Sequence, residues 1–202
     1  MAKVKKDWSG DTNSVFKTLG ASTHTDEERE TNDFYATDPI AAKLLIDNYS
    51  LSPNIWECSA GQGHLSKVFI EHGFNVKSTD LIDRGYGETG VDFLQQTDKF
   101  DGDIITNPPF SLSSEFIYKA MDLVEDGKSV CMFLKIQFLE GKSRRKLFDM
   151  YPPKVVFISS SRITCAKNAD FVKMKVQGSA VAYGWFCWQK GYTGDTIIKW
   201  IN

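Results

Sequence analysis

The stretch that organises this sequence is NIWECSAGQGHLSKVFIEHGFNVKSTDLID, residues 54–83. Residues 54–58 predict a short strand, and the glycines at 61 and 63 predict a tight turn directly after it. Residues 64–73 have the apolar spacing of a helix that ends at a glycine, and residues 75–81 predict a second strand. A strand, a glycine turn, a helix and a strand form a βαβ unit, whose two strands lie parallel in one sheet.

The same alternation of strands and helices extends in both directions from this unit. The pattern predicts helices at 38–49, 113–127 and 143–151, and strands at 100–107, 129–135, 154–160, 180–189 and 195–201. The connection between the last two strands, QKGYTGD, is too short for a crossover helix, so these strands must run antiparallel. We therefore expect an α/β fold with a doubly wound, Rossmann-like sheet that is mostly parallel and has an antiparallel C-terminal hairpin strand.

The composition excludes several classes of protein. The chain has 202 residues, of which 42% are hydrophobic and 25% charged, which are ordinary values for a globular domain and exclude collagen, a coiled coil and wholesale disorder. No apolar run approaches the roughly 20 residues of a membrane helix, and the N-terminus lacks the apolar stretch of a secretory signal. We expect a cytoplasmic protein in which residues 1–31 form a weakly structured arm and residues 32–202 form a single domain.

The four cysteines do not have the spacing of a metal site. Cys58, Cys131, Cys165 and Cys187 form no CxxC pair, and the gaps between them are too long for a zinc knuckle. Most of them have apolar neighbours, which is typical of small buried hydrophobic residues in a reducing compartment. We therefore expect neither disulfides nor a metal.

Charge is distributed unevenly along the chain. Residues 1–110 hold ten basic and eighteen acidic residues, whereas residues 111–202 hold fourteen and eight. The segment 135–175 alone has ten basic residues against three acidic ones. A basic face of this kind suits a polyanion such as a nucleic acid, although on charge alone a solvated surface of mixed charge is the better explanation.

Two acidic residues end the strands of the βαβ unit. Gly61-x-Gly63 lacks the third glycine of a dinucleotide fingerprint and the Gly-Lys-Ser/Thr of a P-loop, but such a turn still lets a ligand approach the backbone. Glu57 ends a buried strand, where a ligand cation or amine would supply the partner that a buried acid needs. Asp80 ends the next strand, where an acid can accept hydrogen bonds from both hydroxyls of a ribose. A plain turn and a capping aspartate are the alternative explanation.

The residues after Asp80 suit an adenine ring. Leu81 and Ile82 follow it directly and can flank a planar base. Asp92 and Phe93 lie in the next apolar stretch, where they could contact the exocyclic amine and the face of the ring. Loop aspartates are common, so this interpretation depends on the position of Asp92 between two other motifs.

The strongest motif is DIITNPPFS, residues 103–111. Pro108 and Pro109 remove two N–H donors and fix the backbone at the end of a buried strand. The carbonyl of Pro108 and the side chain of Asn107 then present two acceptors, which suit the two hydrogens of an NH₂ group, and Phe110 offers a flat face for stacking a base. A rigid turn with a buried phenylalanine is the alternative, but Asn-Pro-Pro-aromatic at a strand end is rare by chance.

In combination these motifs resemble the class I S-adenosylmethionine-dependent methyltransferases. Asn107-Pro108-Pro109-Phe110 resembles the motif of amino-group methyltransferases, chiefly the DNA adenine-N6 enzymes, and ETNDFYATDP (30–39) is similar to the start of small bacteriophage and prophage methyltransferases. The resemblance spans roughly residues 30–202. It implies methyl transfer from S-adenosylmethionine to the exocyclic N6 amine of adenine in DNA, without a metal and in the cytoplasm of a bacterial host.

The resemblance also implies roles for individual residues. The target amine would be held by the catalytic residues Asn107, Pro108, Pro109 and Phe110. The methionine end of the cofactor would contact Asn107 and a set of residues near the first strand. The adenosine of the cofactor would contact Asp80, Leu81, Asp92 and Phe93. The set near the first strand comprises Tyr35, Thr37, Pro39, Glu57, Ser59, Gly61 and Gly63.

One departure from the family pattern concerns the substrate. DNA enzymes of this type usually carry a separate target-recognition domain, and residues 135–175 are the only room for one here. We expect Lys135, Arg144, Arg145 and Arg162 in this segment to contact nucleic acid. Cytosine N4, an RNA adenine or a protein glutamine would suit the same chemistry, and a non-catalytic nucleic-acid-binding module on this fold is the alternative from another class.

Overall fold

The computed structural model describes residues 35–163, 165–167 and 181–202, so the predicted arm, residues 1–31, lies outside the described residues. The helices are α1 (Ile40–Asn48), α2 (His64–Glu71), α3 (Ser113–Leu123) and α4 (Arg145–Met150). The strands are β1 (Tyr35–Thr37), β2 (Asn54–Glu57), β3 (Asn75–Asp80), β4 (Glu88–Thr89), β5 (Asp103–Thr106), β6 (Ser129–Lys135), β7 (Val155–Ser159), β8 (Cys165–Lys167), β9 (Tyr183–Gln189) and β10 (Ile197–Ile201).

Eight strands form one sheet in the order β4-β3-β2-β5-β6-β9-β7-β10. All neighbouring pairs are parallel except those made by β9, which runs antiparallel to both β6 and β7. The expected fold class, a mostly parallel α/β sheet with antiparallel strands at its C-terminal end, is confirmed. Each predicted helix and strand contains an observed one, with differences of a few residues at the ends.

The pairing of the last two strands differs from a hairpin. β9 and β10 run in opposite directions, as predicted, but β7 lies between them. The burial of the two strands explains this order. β9 is buried from Tyr183 to Trp188, which requires a central position with neighbours on both sides, whereas Ile197, Ile198 and Trp200 leave β10 largely exposed at the edge.

Helices cover both faces of the sheet. On one face, α1 and α2 pack through residues such as Leu45 and Phe69 against Phe133 and Trp185, and the indole nitrogen of Trp185 donates to the carbonyl of Ala41 at 2.8 Å. On the other face, α3 and α4 pack against side chains of β2, β6 and β9. This double cover leaves the carboxyl edge of the parallel strands as the place where a ligand can enter.

All four cysteines are buried and free, as the sequence predicts. Within the described part of the chain, no helix is both long enough and apolar enough to span a membrane.

A second, small sheet was not predicted. β1 and β8 pair antiparallel over three residues each, with Thr37 opposite Cys165. Neither strand is long enough to show an apolar alternation in the sequence. This small sheet brings residue 37 next to Asn107, which follows β5.

Candidate active site

A cavity of about 450 Å³ opens where β2, β3 and β5 end. Its volume falls in the range of small-molecule sites, which is roughly 300–1,000 Å³. Parallel strands present their carboxyl ends at one edge of a sheet, so the segments that follow these three strands meet here. The predicted site residues that line the cavity are Thr37, Glu57, Ser59, Gly61, Asp80, Leu81, Ile82, Asp92, Phe93, Asn107 and Pro109.

The glycine turn is tied directly to Asp80. The backbone N–H of Gly61 donates to Asp80 Oδ2 at 2.8 Å, and Ile82 N–H donates to Asp80 Oδ1 at 2.9 Å. A carboxylate has about four acceptor sites, so two remain for a ligand beyond these two bonds. Asp80 is 9% exposed, which places its remaining acceptors at the cavity wall.

Gly63 shapes the turn and does not line the cavity. Its φ of 77° lies in the left-handed region, and an added Cβ would lie 2.4 Å from the ring of Tyr86. Both observations require glycine at this position. Tyr86 belongs to the loop that follows Asp80, so Gly63 allows this loop to pack against the start of α2.

Glu57 is a buried carboxyl group at the cavity. It accepts a hydrogen bond from Ser66 N–H at 2.8 Å and another from the Ser66 hydroxyl, which lies 2.6 Å from Ser78 Oγ. Burial raises the pKa of Glu57 to about 8, the bonds from Ser66 oppose this rise, and the nearby Asp80 adds to it. A cation placed in the cavity beside Glu57 would favour its charged form.

Ser66 is a site residue that the sequence analysis missed. It occupies the first turn of α2, three residues after Gly63, and from there its hydroxyl reaches the end of β2. A hydroxyl at this position after a glycine turn is the signal that could have identified it. His64, Arg84, Ser111 and Leu112 also line the cavity without having been predicted.

The predicted adenine contacts all line the cavity. Phe93 is 2% exposed and packs against Trp56 and Phe116 at ring-centroid distances of 5.3 and 5.0 Å, so it forms part of the cavity wall and of the core. Asp92 accepts a hydrogen bond from Leu94 N–H at 2.9 Å and caps the 3₁₀ turn that begins at Phe93. Leu81 is exposed at the rim.

The side-chain amide of Asn107 is held by the small sheet. Its Nδ2 donates to Thr37 Oγ1 at 2.9 Å and to Cys165 Sγ at 3.8 Å. Because the nitrogen is directed at β1 and β8, the amide oxygen is turned away from them. Asn107 and Pro109 line the cavity, whereas Pro108 is buried and does not line it.

Pro39 does not line the cavity in which the cofactor is predicted to bind. It is exposed at the start of α1, where Asp38 Oδ1 accepts a hydrogen bond from Ile40 N–H at 3.1 Å. The helix-start signal of Asp38-Pro39 is therefore a local one, and the side chain of Pro39 lies away from the cavity. Tyr35, the other residue predicted on this segment, belongs to β1.

Phe110 lies in a second depression of about 220 Å³, together with Lys135 and Arg144. The Lys135 ammonium lies 4.5 Å from the centre of the Phe110 ring, and the ring of Tyr183 lies 5.8 Å from it at a tilt of 32°. Phe110 is therefore not part of the first cavity, although Pro109 directly before it is. The Asn-Pro-Pro-Phe motif thus runs from the first cavity to the second depression.

The arginines predicted to bind nucleic acid differ in their surroundings. Arg144 donates to three backbone carbonyls in the segment before it, including that of Phe138 at 2.8 Å, and its guanidinium lies over the Phe138 ring. Arg144 thereby stabilises the segment that directly precedes it. Arg145 is 80% exposed and pairs with Asp149 at 2.7 Å, and Arg162 is exposed; neither lines the second depression.

Within residues 35–163, 165–167 and 181–202, no three histidine, cysteine, aspartate or glutamate side chains gather as metal ligands.

Comparison with solved structures of known proteins identifies the fold. No protein-family model and no curated protein matches the sequence. Among solved structures, a provisionally assigned class I S-adenosylmethionine-dependent methyltransferase from Listeria monocytogenes has a TM-score of 0.59 at 12% identity, over 93% of this chain and 71% of that one. A provisionally assigned RNA methyltransferase from Pyrococcus horikoshii has a TM-score of 0.54 at 14% identity, over 89% and 99%.

The chain has the class I methyltransferase fold. The type IIG restriction endonuclease BpuSI also matches, with a TM-score of 0.51 at 13% identity, over 77% of this chain but only 24% of that one. At these identities the likeness establishes the fold alone. In a class I methyltransferase fold, as in other open α/β sheets, the carboxyl edge of the strands is the ligand-binding edge, and the cavity with Glu57, Asp80 and Asn107 lies at that edge.

Proposed function

We propose that this chain transfers a methyl group from S-adenosylmethionine to the exocyclic N6 amine of adenine in DNA. The observation that carries the proposal is that the Asn-Pro-Pro-Phe motif extends from the first cavity to the second depression. Asn107 and Pro109 line a cavity that also contains Glu57 and Asp80, and Phe110 lines the depression next to it. A donor molecule in the first cavity and a planar base against Phe110 would therefore meet at Asn107.

The donor set of the first cavity fits S-adenosylmethionine. Asp80 keeps acceptor capacity for the two ribose hydroxyls, and Glu57 is a buried carboxyl group that has no cation paired with it among the residues the structure describes. The cofactor's ammonium is such a cation, and Asp92 and Phe93 suit an adenine amine and ring. When bound, the cofactor supplies a methyl group on a positively charged sulfur.

Asn107 and Pro108 would make the target amine reactive. The lone pair of the adenine amine is delocalised into the ring, which makes the nitrogen a poor nucleophile. The amide group of Asn107 lines the cavity, and its oxygen would accept one of the two hydrogens and so localise the lone pair. Pro108 is buried and lines neither cavity, so its carbonyl would accept the other hydrogen only if the bound base brought the amine to it. The same fixed acceptors stabilise the positive charge that develops on the nitrogen. The remaining contribution would be positioning, since no covalent nucleophile is needed. As the bond between the amine nitrogen and the methyl group forms, the bond between the methyl group and the cofactor sulfur would break, and the methylated nitrogen would then release one proton to solvent.

The second depression suits a base that has left its stack. Phe110 supplies an aromatic ring over which the Lys135 ammonium lies at 4.5 Å, and a flipped base would take the place of the ammonium on this ring. In duplex DNA the target adenine must be flipped out to reach this position. The basic segment 135–175 would contact the phosphates on either side. Cytosine N4, an RNA adenine and a protein glutamine are the alternatives within the same chemistry.

Sequencing of modified bases tests this proposal in cells. Bacteria without adenine methyltransferases of their own would express either the wild type or Asn107→Ala, and long-read sequencing would locate modified bases in their DNA. We expect N6-methyladenine in a short sequence context with the wild type and none with the variant. Unmodified adenine in both strains would contradict the proposed substrate, and failure of the purified protein to bind S-adenosylhomocysteine in calorimetry would favour a non-catalytic module.

A further inference from the structure

The small sheet places two polar residues against the amide of Asn107. Thr37 in β1 and Cys165 in β8 are directly opposite each other. Both accept from the same atom, Asn107 Nδ2, at 2.9 and 3.8 Å. The two strands are separated by more than a hundred residues of chain, so their meeting at one amide nitrogen is a product of the tertiary fold.

Cys165 is the centre of a larger group of contacts. Asn107 Nδ2 donates to its sulfur at 3.8 Å, and the side chains of Thr37 and Tyr183 lie close enough to the thiol to stabilise its charged form. Burial raises the pKa of this thiol to about 12, so it is neutral at physiological pH. Tyr183 in turn packs against Phe110. The contacts of Cys165 therefore reach both the amide and the aromatic ring of the Asn-Pro-Pro-Phe motif.

We propose that Thr37 and Cys165 are positioning residues, which hold the nitrogen of the Asn107 amide and thereby aim its oxygen at the amine to be methylated. This proposal rests on the proposed function for the identity of that amine. Neither residue contacts the reacting atoms, and both act through Asn107.

The chemistry of an amide makes this orientation decisive. An asparagine amide accepts at one end and donates at the other. Rotation of the amide by half a turn would present the Nδ2 hydrogens to the target amine, where two donors would face each other. Thr37 and Cys165 are 4% exposed each, so water does not readily replace the bonds that hold the nitrogen. Free rotation would therefore lower the fraction of enzyme with the reactive orientation.

Four variants separate orientation from folding. Thr37→Val keeps the shape but removes the hydroxyl, and Thr37→Ser keeps the hydroxyl. Cys165→Ala and Cys165→Ser make the same comparison for the thiol. Ser129→Ala is the matched control, because it removes a buried hydroxyl that contacts Tyr49 at the opposite edge of the sheet.

The first measurement needs no substrate. In nitrogen-15 NMR spectra of the full chain, the side-chain amide signals of Asn107 are identified by their loss in Asn107→Ala. We expect their exchange with solvent to be at least about tenfold faster in Thr37→Val, which corresponds to the loss of one buried hydrogen bond. Thr37→Ser and Ser129→Ala should keep the slow exchange of the wild type. Equal exchange in Thr37→Val and the wild type would overturn the proposal.

The second measurement is the kinetic signature of positioning. With methylated DNA as the product and cofactor at saturation, kcat should fall about tenfold in Thr37→Val while the KM for DNA stays within about twofold, and Thr37→Ser should recover most of the loss. A rise in KM with unchanged kcat would contradict the proposal. If the wild type methylates no DNA, the proposed function fails, but the exchange measurement still tests the positioning role. If Thr37→Val does not fold, the comparison of Cys165→Ala with Cys165→Ser tests the positioning role instead.

Discussion

We expect the binding of S-adenosylhomocysteine to release a proton from Glu57, and calorimetry can count that proton. The product of the proposed reaction carries the same ammonium group as the cofactor and does not turn over. The pKa of Glu57 is raised to about 8 by burial, so about 0.9 of the molecules hold the proton at pH 7 in the ligand-free protein. An ammonium beside Glu57 lowers this pKa and drives the proton out.

The magnitude follows from that pKa. If the bound ammonium brings the pKa of Glu57 well below 7, about 0.9 protons leave per molecule bound at pH 7, where the ligand's amine is already mostly an ammonium. The affinity should therefore rise nearly tenfold per pH unit as the pH approaches 7 from below. Heats of binding measured in buffers with different ionisation enthalpies give the number of protons directly.

Glu57→Gln is the decisive variant, since the amide keeps the size of the side chain and cannot titrate. Glu71→Gln is the matched control, because Glu71 is an exposed glutamate at the end of α2. The control should release as many protons as the wild type, and Glu57→Gln should release about 0.9 fewer at pH 7. Equal proton release by the wild type and Glu57→Gln would refute the placement of the ammonium at Glu57.

The pH dependence of the stability of the ligand-free protein is a second measure of the pKa of Glu57. The folded-state pKa of Glu57 lies above its ordinary value of 4.5, so its contribution to stability is fully present below pH 4.5 and is lost as the pH rises through about 8. The loss amounts to about 5 kcal/mol at most, from 1.36 kcal/mol per unit of pKa. Glu57→Gln should remove this part of the pH dependence in denaturant titrations.

Three further predictions concern the target side. Asn107→Ala should abolish methyl transfer, since it removes an acceptor for the target amine, while calorimetry should find its affinity for S-adenosylhomocysteine within about twofold of the wild type. Phe110→Ala should weaken capture of a flipped base by about 1–3 kcal/mol, the range for one base–aromatic stack, as measured by the fluorescence of 2-aminopurine at the target position. Arg145→Gln should lower the salt slope of DNA binding by about 1, whereas Arg144→Gln should mainly lower the melting temperature, because Arg144 is bonded to backbone carbonyls. An unchanged salt slope in Arg145→Gln would indicate that the basic helix α4 contacts solvent and not DNA.

The order of the elements could be predicted because each element has its own local pattern. β6 is a continuous apolar run, and α2 combines helical spacing with a glycine at its end. The place of β9 between β6 and β7 could not be predicted, because two strands joined by a short connection pair with each other in the simplest topology. That choice depends on how much surface β9 and β10 can bury, which is a property of the assembled sheet.

The positions of Glu57, Asp80 and Asn107 could be predicted because each follows a parallel strand, and such strand ends meet at one edge. The contacts of single side chains could not. Thr37 reaches Asn107 only because β1 pairs with β8, and nothing local in three-residue strands shows that pairing. Arg144 illustrates the same limit, since a basic residue in the sequence does not reveal that backbone carbonyls will bind it.

The most direct test of the central claim follows the methyl group itself. The purified protein would be incubated with S-adenosylmethionine that carries a trideuterated methyl group and with duplex DNA, and the DNA would be digested to nucleosides for mass spectrometry. We predict N6-methyldeoxyadenosine with the full deuterium label from the wild type and none from Asn107→Ala. Label on cytosine, on RNA or on a protein glutamine in parallel reactions, with unlabelled adenine in DNA, would contradict the claim.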